Sequence, residues 1–248
     1  MLRDDIGEIL DYAARQGTSV YLSSNGVPVR EKADCIGPVR RMVLSLDGPP
    51  EIHAKSRGEG TFEKVMEAVE VCRNKSISVI FLCVLSRWNL DAVEDLLRIA
   101  RDLWVEVMFQ PATVTQIYSN AANPIAPSAA AYREAVRRLI ERKRAGAPIA
   151  NSVAGLRHLA KWPDDAALWC PAGRIACGVE PDGTFVACDR VQRDFLNRRT
   201  GIGLSEALPP PASGCSQCWC APLVELALAF SLRPSAMVNA WRFVSRCE

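Results

Sequence analysis

Six of the ten cysteines in this 248-residue sequence lie between residues 170 and 220, a crowding expected of metal ligands. Cys170 and Cys188 have seventeen residues between them, Pro181-Asp182-Gly183 among these, flanked by Gly178-Val179 and Thr184-Phe185-Val186. Proline presets φ at a turn and glycine accepts a positive φ, so this segment predicts a β-hairpin. A hairpin brings Cys170 and Cys188 towards one end of two paired strands. Cys215 and Cys218 form a C-x2-C pair, and Cys220 follows at once. That knuckle can supply two more thiolates and complete a four-sulfur site. Four thiolates suit tetrahedral zinc or an iron–sulfur cluster, and spacing does not choose between them.

Composition narrows the setting. With 30 basic and 28 acidic side chains the net charge is +2, which gives no reason to expect a nucleic-acid partner. No apolar run reaches membrane-spanning length and the first residues show no signal-peptide pattern, so a cytoplasmic protein without a membrane partner is expected. Knuckle-like cysteine spacing in a reducing compartment reads as metal binding rather than disulfides. Cys35, Cys72 and Cys83 lie in or beside apolar segments and read as buried small hydrophobes. Of the two histidines, His53 reads as a turn residue before Arg57 and His158 as half-buried on a helix. No Ser-His-Asp set, phosphate loop or carboxylate pair stands out, so hydrolases and kinases rank low and no catalytic residue is assigned.

The elements that must position these groups follow from periodicity. Ile6, Ile9, Leu10 and Ala13 share one face of a helix over 3–16, ended by Gly17. Strands are expected over 19–23 (SVYLS), 41–46 (RMVLSL), 78–85 (SVIFLCVL) and 105–109 (VEVMF). Thr61 is expected to cap a helix burying Phe62, Val65, Met66, Val69 and Cys72, and Asn89 one burying Leu90, Val93, Leu96, Leu97 and Ala100. This alternation makes an α/β fold with a parallel sheet. Ligands of such sheets sit at the carboxyl ends of strands, here Ser23-Ser24-Asn25-Gly26, Ser45-Leu46-Asp47-Gly48, Ser86-Arg87-Trp88-Asn89 and Gln110-Pro111. Each alone reads equally as a turn or cap; four on one edge point to a site. A loop over 112–127 leads to a helix from Ser128 to Lys143, whose arginine-rich face reads as solvated. A short strand over 147–151 and a helix over 152–161 reach a boundary at Trp162-Pro163. Two units are therefore expected, residues 1–162 and 163–248. Pro209-Pro210-Pro211 is a stiff spacer, and a helix from Pro222 is broken at Pro234.

Taken in order, Leu2-Arg3-Asp4-Asp5-Ile6, Ser24-Asn25-Gly26, Ser45-Leu46-Asp47-Gly48, His53 with Arg57-Gly58, Gly60-Thr61-Phe62 and the C-x12-G-x4-C run from Cys170 through Gly183 to Cys188 resemble one family. The sequence resembles the radical S-adenosylmethionine (SAM) enzymes that carry a C-terminal SPASM or twitch module. The resemblance implies an incomplete parallel (βα) partial barrel followed by a small Cys-rich module of β-hairpin and helix. It implies SAM at the carboxyl ends of the strands, with Ser45 and Asp47 near the ribose, Arg57 near the carboxylate, and Asn25 and Gln110 facing the cavity. It assigns one auxiliary [4Fe-4S] cluster to Cys170, Cys188, Cys215 and Cys218, with Cys177 and Cys220 as alternative ligands. The substrate would be a peptide or a small molecule, with an electron donor as partner.

One departure qualifies the resemblance. The family holds its SAM-cleaving cluster on C-x3-C-x2-C and grips SAM with a Gly-Gly-Glu turn; neither occurs in these 248 residues. The chain alone is therefore expected not to cleave SAM. Three accounts compete: an open reading frame starting upstream of Met1, a homologue retaining only the auxiliary cluster, and a zinc-stabilised binding or structural protein.

Overall fold

The computed structural model describes the chain except residues 2, 117–120, 165, 174, 181–182, 184, 187, 189–197, 200–217, 233 and 246–248, and gives no side-chain description for 198–199 and 242–245. Its centre is a four-stranded sheet in the order β1 (Val20–Ser24), β2 (Val39–Ser45), β3 (Ser78–Leu85), β4 (Glu106–Pro111). Every pair is parallel, with Leu44 beside both Ser24 and Phe81, and Phe81 beside Val107. The apolar run at 78–85 is the whole of β3, as expected of a strand covered on both faces. The fifth strand expected over 147–151 is reduced to one parallel bridge between Ile149 and Val107. Asn151 continues it with its side chain: Oδ1 accepts from the Phe109 N–H at 2.7 Å and Nδ2 donates to the Phe109 carbonyl at 3.0 Å.

Strand side chains alternate between two faces. One set, with Met42, Leu44, Phe81, Cys83, Val107 and Phe109, joins the main core. Helices α1 (Ile6–Arg15), α3 (Thr61–Asn74), α4 (Val93–Asp102) and α5 (Ala129–Arg144) supply the other half through Leu10, Val65, Val69, Cys72, Leu96, Leu97, Val136 and Leu139. Each such leucine or valine contributes about 1.5–3 kcal/mol on burial. Trp162, against Tyr132 at 4.8 Å, belongs to this core too. The opposite set has a second, smaller cluster. There Ile80 and Met108, with Val43 and Leu82 alongside, meet Ala221, Val224 and Leu228 of α7 (Ala221–Phe230) and Ala236 of α8 (Pro234–Ser245).

Local chemistry corrects several boundaries. Thr61 is the first helical residue rather than the cap: Gly60 precedes α3 at φ 73°, and Thr61 Oγ1 donates to the Gly58 carbonyl. Ser128 does cap α5, its Oγ accepting from the Ala131 N–H. Pro234 opens α8, where a missing N–H costs nothing. His53 lies on α2 (Pro50–Arg57), not in a turn, and is buried. The expected hairpin is seen as β5 (Gly178–Val179) paired antiparallel with β6 (Phe185–Val186), with Gly183 at φ 85°, and β7 (Arg198–Arg199) adds a third strand. Pro181, Asp182 and Thr184 of that turn, Cys215, and the 209–211 spacer lie outside the described residues.

Candidate functional site at the carboxyl ends of the strands

Asp47 follows β2, and every polar atom it has is engaged. Its Oδ1 accepts from the Val84 N–H at 2.9 Å; its Oδ2 accepts from Ser56 Oγ at 2.8 Å and Arg57 Nε at 2.7 Å. Its N–H donates to His53 Nδ1 at 3.1 Å and its carbonyl accepts from Asn89 Nδ2 at 2.9 Å. One residue thus ties β2 to α2, to β3 and to the turn after β3. The pairing with Arg57 is asymmetric: the carboxylate is 4% exposed and the guanidinium side chain 30%. Beyond Nε, the Arg57 guanidinium has no partner among the described residues and can meet an incoming anion.

His53 and Arg57 stand four apart on α2, so they share one helix face beside Asp47. Because Nδ1 accepts, the neutral ring carries its proton on Nε2, which is buried without a partner among the described residues. Burial holds the His53 pKa below the ordinary range; Asp47 opposes and Arg57 reinforces that. A neutral ring therefore anchors the Asp47 backbone. Asn89, expected as a helix cap, instead reaches back: Oδ1 accepts from the Ser86 N–H and Nδ2 donates to the Val84 and Asp47 carbonyls.

The other expected ligand-facing groups divide in two. Ser45 is half-buried at the end of β2, and its Oγ has no partner among the described residues. Asn25 is exposed in the turn after β1, Oδ1 accepting from the Val27 N–H. Gly26 in that turn is required: at φ 88°, a Cβ would stand 3.0 Å from the Val65 backbone of α3. Gln110, at the far side of the sheet, is buried, and its Oε1 accepts from the Ala221 N–H at 3.2 Å. Ser45, Asp47, Arg57 and Asn25 thus lie at the β1–β2 side of the carboxyl edge, while Gln110 receives the first turn of α7.

That bond brings the residues just before α7 to the same edge. Cys218 and Cys220 immediately precede α7. Its burial first, then the thiols of Cys220, Cys170 and Cys188, push the Cys218 pKa up to about 12. Cys170, Cys188, Cys218 and Cys220 are half-buried, and Cys177 is exposed. As placed, no three His, Cys, Asp or Glu side chains among the described residues converge closely enough to hold a metal ion. The donor set nonetheless fits one chemically, since cysteine thiolates are the usual ligands of iron–sulfur clusters and of structural zinc. Trp219 packs on His158 at 5.3 Å, and Trp169, partly exposed, stands 6.1 Å from Phe230.

Residues 1–100 match the radical SAM superfamily. This stretch is radical SAM sequence. It covers β1 to β3 and the Asp47–His53–Arg57 network, and the architecture is the α/β partial barrel the resemblance implied. The chain is 30% identical over 113 residues to an AdoMet-dependent heme synthase of Oleidesulfovibrio alaskensis, an alignment covering 42% of this chain and 28% of the synthase. It is 23% identical over 205 residues to mycofactocin maturase MftC of Mycolicibacterium smegmatis, covering 75% of this chain and 49% of the maturase. Among solved structures, Streptococcus suis SuiB bound to S-adenosylmethionine superposes with a TM-score of 0.61 at 11% identity, covering 79% of this chain and 48% of SuiB. The protein anSMEcpe with bound AdoMet and Kp18Cys peptide gives 0.57 at 20% identity, covering 75% and 57%. The chain thus spans half or less of the length of these curated relatives. Among its described residues no single helix is long and apolar enough to cross a membrane.

Proposed function

We propose that this chain forms the SAM-facing edge and the auxiliary iron–sulfur centre of a radical SAM maturase acting on a peptide. Residues 1–162 form the sheet unit and residues 163–248 the cysteine module. The supporting observation is that the Gln110–Ala221 bond seats the start of α7, directly after Cys218 and Cys220, at the carboxyl end of β4. Cys170, Cys188, Cys215 and Cys218 are the proposed ligands of a single [4Fe-4S] cluster, with Cys220 next in line. When bound, SAM and iron–sulfur clusters supply one-electron cleavage and hydrogen abstraction.

The residues of the chain orient and enclose. Arg57, fixed by Asp47, offers its outer nitrogens to the SAM carboxylate; Ser45 and Asp47 border the ribose; Asn25 lies on the open side of the site, and Gln110, expected to face it, is instead buried against the start of α7. Asp47 reaches the ribose only as a rigid backbone-anchored acceptor, since Ser56, Arg57 and Val84 already occupy its carboxylate. Neutral His53 keeps that acceptor in register. A peptide is favoured over a small metabolite because the maturase alignment runs over three quarters of the chain, whereas the heme synthase alignment covers 42%. The peptide bound to the structural neighbour anSMEcpe is in keeping with this.

Anaerobic reconstitution with iron and sulfide tests the centre: one cluster per chain is expected, with iron and acid-labile sulfide in equal amounts. Zinc without sulfide in the purified chain overturns the iron–sulfur assignment in favour of a structural metal knuckle.

A further inference from the structure

The segment from Cys218 to Ala221 carries two candidate sulfur ligands, and the sheet unit grips it at both ends. At one end His158 Nε2 lies 3.1 Å from the Cys218 carbonyl. A carbonyl only accepts, so Nε2 is the donor and carries the proton of the neutral ring. At the other end Gln110 Oε1 accepts from the Ala221 N–H at 3.2 Å. His158 is on α6 (Val153–Leu159) and Gln110 on β4, so two elements of one rigid sheet unit hold a four-residue stretch. Both side chains are about 94% buried, at 6% exposure each. The indole of Trp219, between the two cysteines, lies against the His158 ring and closes that side to water.

We infer that His158 and Gln110 are positioning residues for the auxiliary centre: they fix the backbone from Cys218 to Ala221 so that Cys218 and Cys220 present their sulfurs in one geometry. The inference rests on the cluster reading above. Neither residue touches the metal; each acts through the peptide groups of that stretch. Outer partners that orient metal ligands change metal affinity by about 10–100-fold. A bond to the backbone of a ligand, one step removed, belongs at the lower end.

The test compares the anaerobically reconstituted wild-type chain with His158→Leu, His158→Gln and Gln110→Leu. Iron release to a chelator and the electron paramagnetic resonance spectrum of the reduced protein are the readouts. Expected for His158→Leu are release about tenfold faster and an altered spectrum, with iron and sulfide content still near one cluster. His158→Gln, whose amide N–H can reach the same carbonyl, restores both. If His158→Leu does not fold, Gln110→Leu carries the same expectation. Release rates and spectra in His158→Leu and Gln110→Leu identical to wild type overturn the inference while the cluster stands. A wild-type chain that takes up no iron and sulfide ends the cluster reading itself, and the positioning role with it.

Discussion

Glu225 occupies the space a side chain on Gly155 would take: a Cβ built on Gly155 would lie 2.0 Å from Glu225 Oε1. Ser152 caps α6 by accepting from the Gly155 N–H at 2.8 Å, and Glu225 accepts from the Ser152 N–H at 2.7 Å. In a capping box, a glutamate three residues after the cap reaches back to the cap N–H. That position here is glycine, and the carboxylate comes from α7, 73 residues downstream. The second half of the cap thus docks the C-terminal helices onto the sheet unit. Gly155→Ala should push Glu225 out and cost about 1–3 kcal/mol, read as a lower midpoint in thermal or urea unfolding. An unchanged midpoint refutes the shared cap.

The same carboxylate sets a pH dependence. Burial raises the Glu225 pKa, although Ser152, Lys143 and Asn239 partly oppose it. Its folded value therefore lies above its unfolded one, so folding favours the neutral acid. That contribution is complete below the ordinary carboxylate range and is lost as pH rises through the raised folded value. Stability should fall across that window in the wild type, and Glu225→Gln should flatten the slope. Melting curves taken from pH 4 upwards would show equal slopes if Glu225 is not responsible.

Asp47→Ala should be among the most damaging single changes in the sheet unit. It strands the Val84 N–H and leaves Arg57 without its partner. Loss of a buried hydrogen-bonded carboxylate costs about 3–5 kcal/mol. Arg57→Gln leaves the buried Asp47 carboxylate without its cation, so it should cost about 1–3 kcal/mol and weaken SAM binding by calorimetry. Equal SAM affinity in Arg57→Gln and wild type removes Arg57 from the ligand set.

Cys188→Ala should abolish metal loading and loosen residues 165–220, because metal binding at such sites is coupled to folding. Hydrogen exchange and iron content report the two effects together. Retained iron in this variant would require a different set of four from the six clustered cysteines.

Incubated with SAM and a strong reductant, the 248-residue chain should yield no 5′-deoxyadenosine, since it carries no C-x3-C-x2-C triplet. Product detected by mass spectrometry would locate a SAM-cleaving cluster on other cysteines.

The sheet was legible because its strands announce themselves locally: β3 is almost wholly apolar, and the turns after β1, β2 and β3 carry glycine or asparagine. Pro181-Asp182-Gly183 foretold the hairpin of β5 and β6 for the same reason. What escaped depends on distance along the chain. Asn89 reads as a cap until Asp47, 42 residues away, is seen to claim its amide. Asn151 reads as the end of a strand, yet it is its side chain that pairs with the Phe109 backbone. His53 could have been found, since the i,i+4 spacing to Arg57 after Pro49-Pro50 marks a helix start. Gly155 could not: nothing within its helix tells of a carboxylate arriving from α7.

The packing of α7 and α8 against Ile80 and Met108 has a directional consequence. Those helices roof one half of a sheet face, while Tyr21 and Ser23 on β1 stay open to solvent. On this face the way to Ser45 is therefore open over the first two strands and closed over β3 and β4.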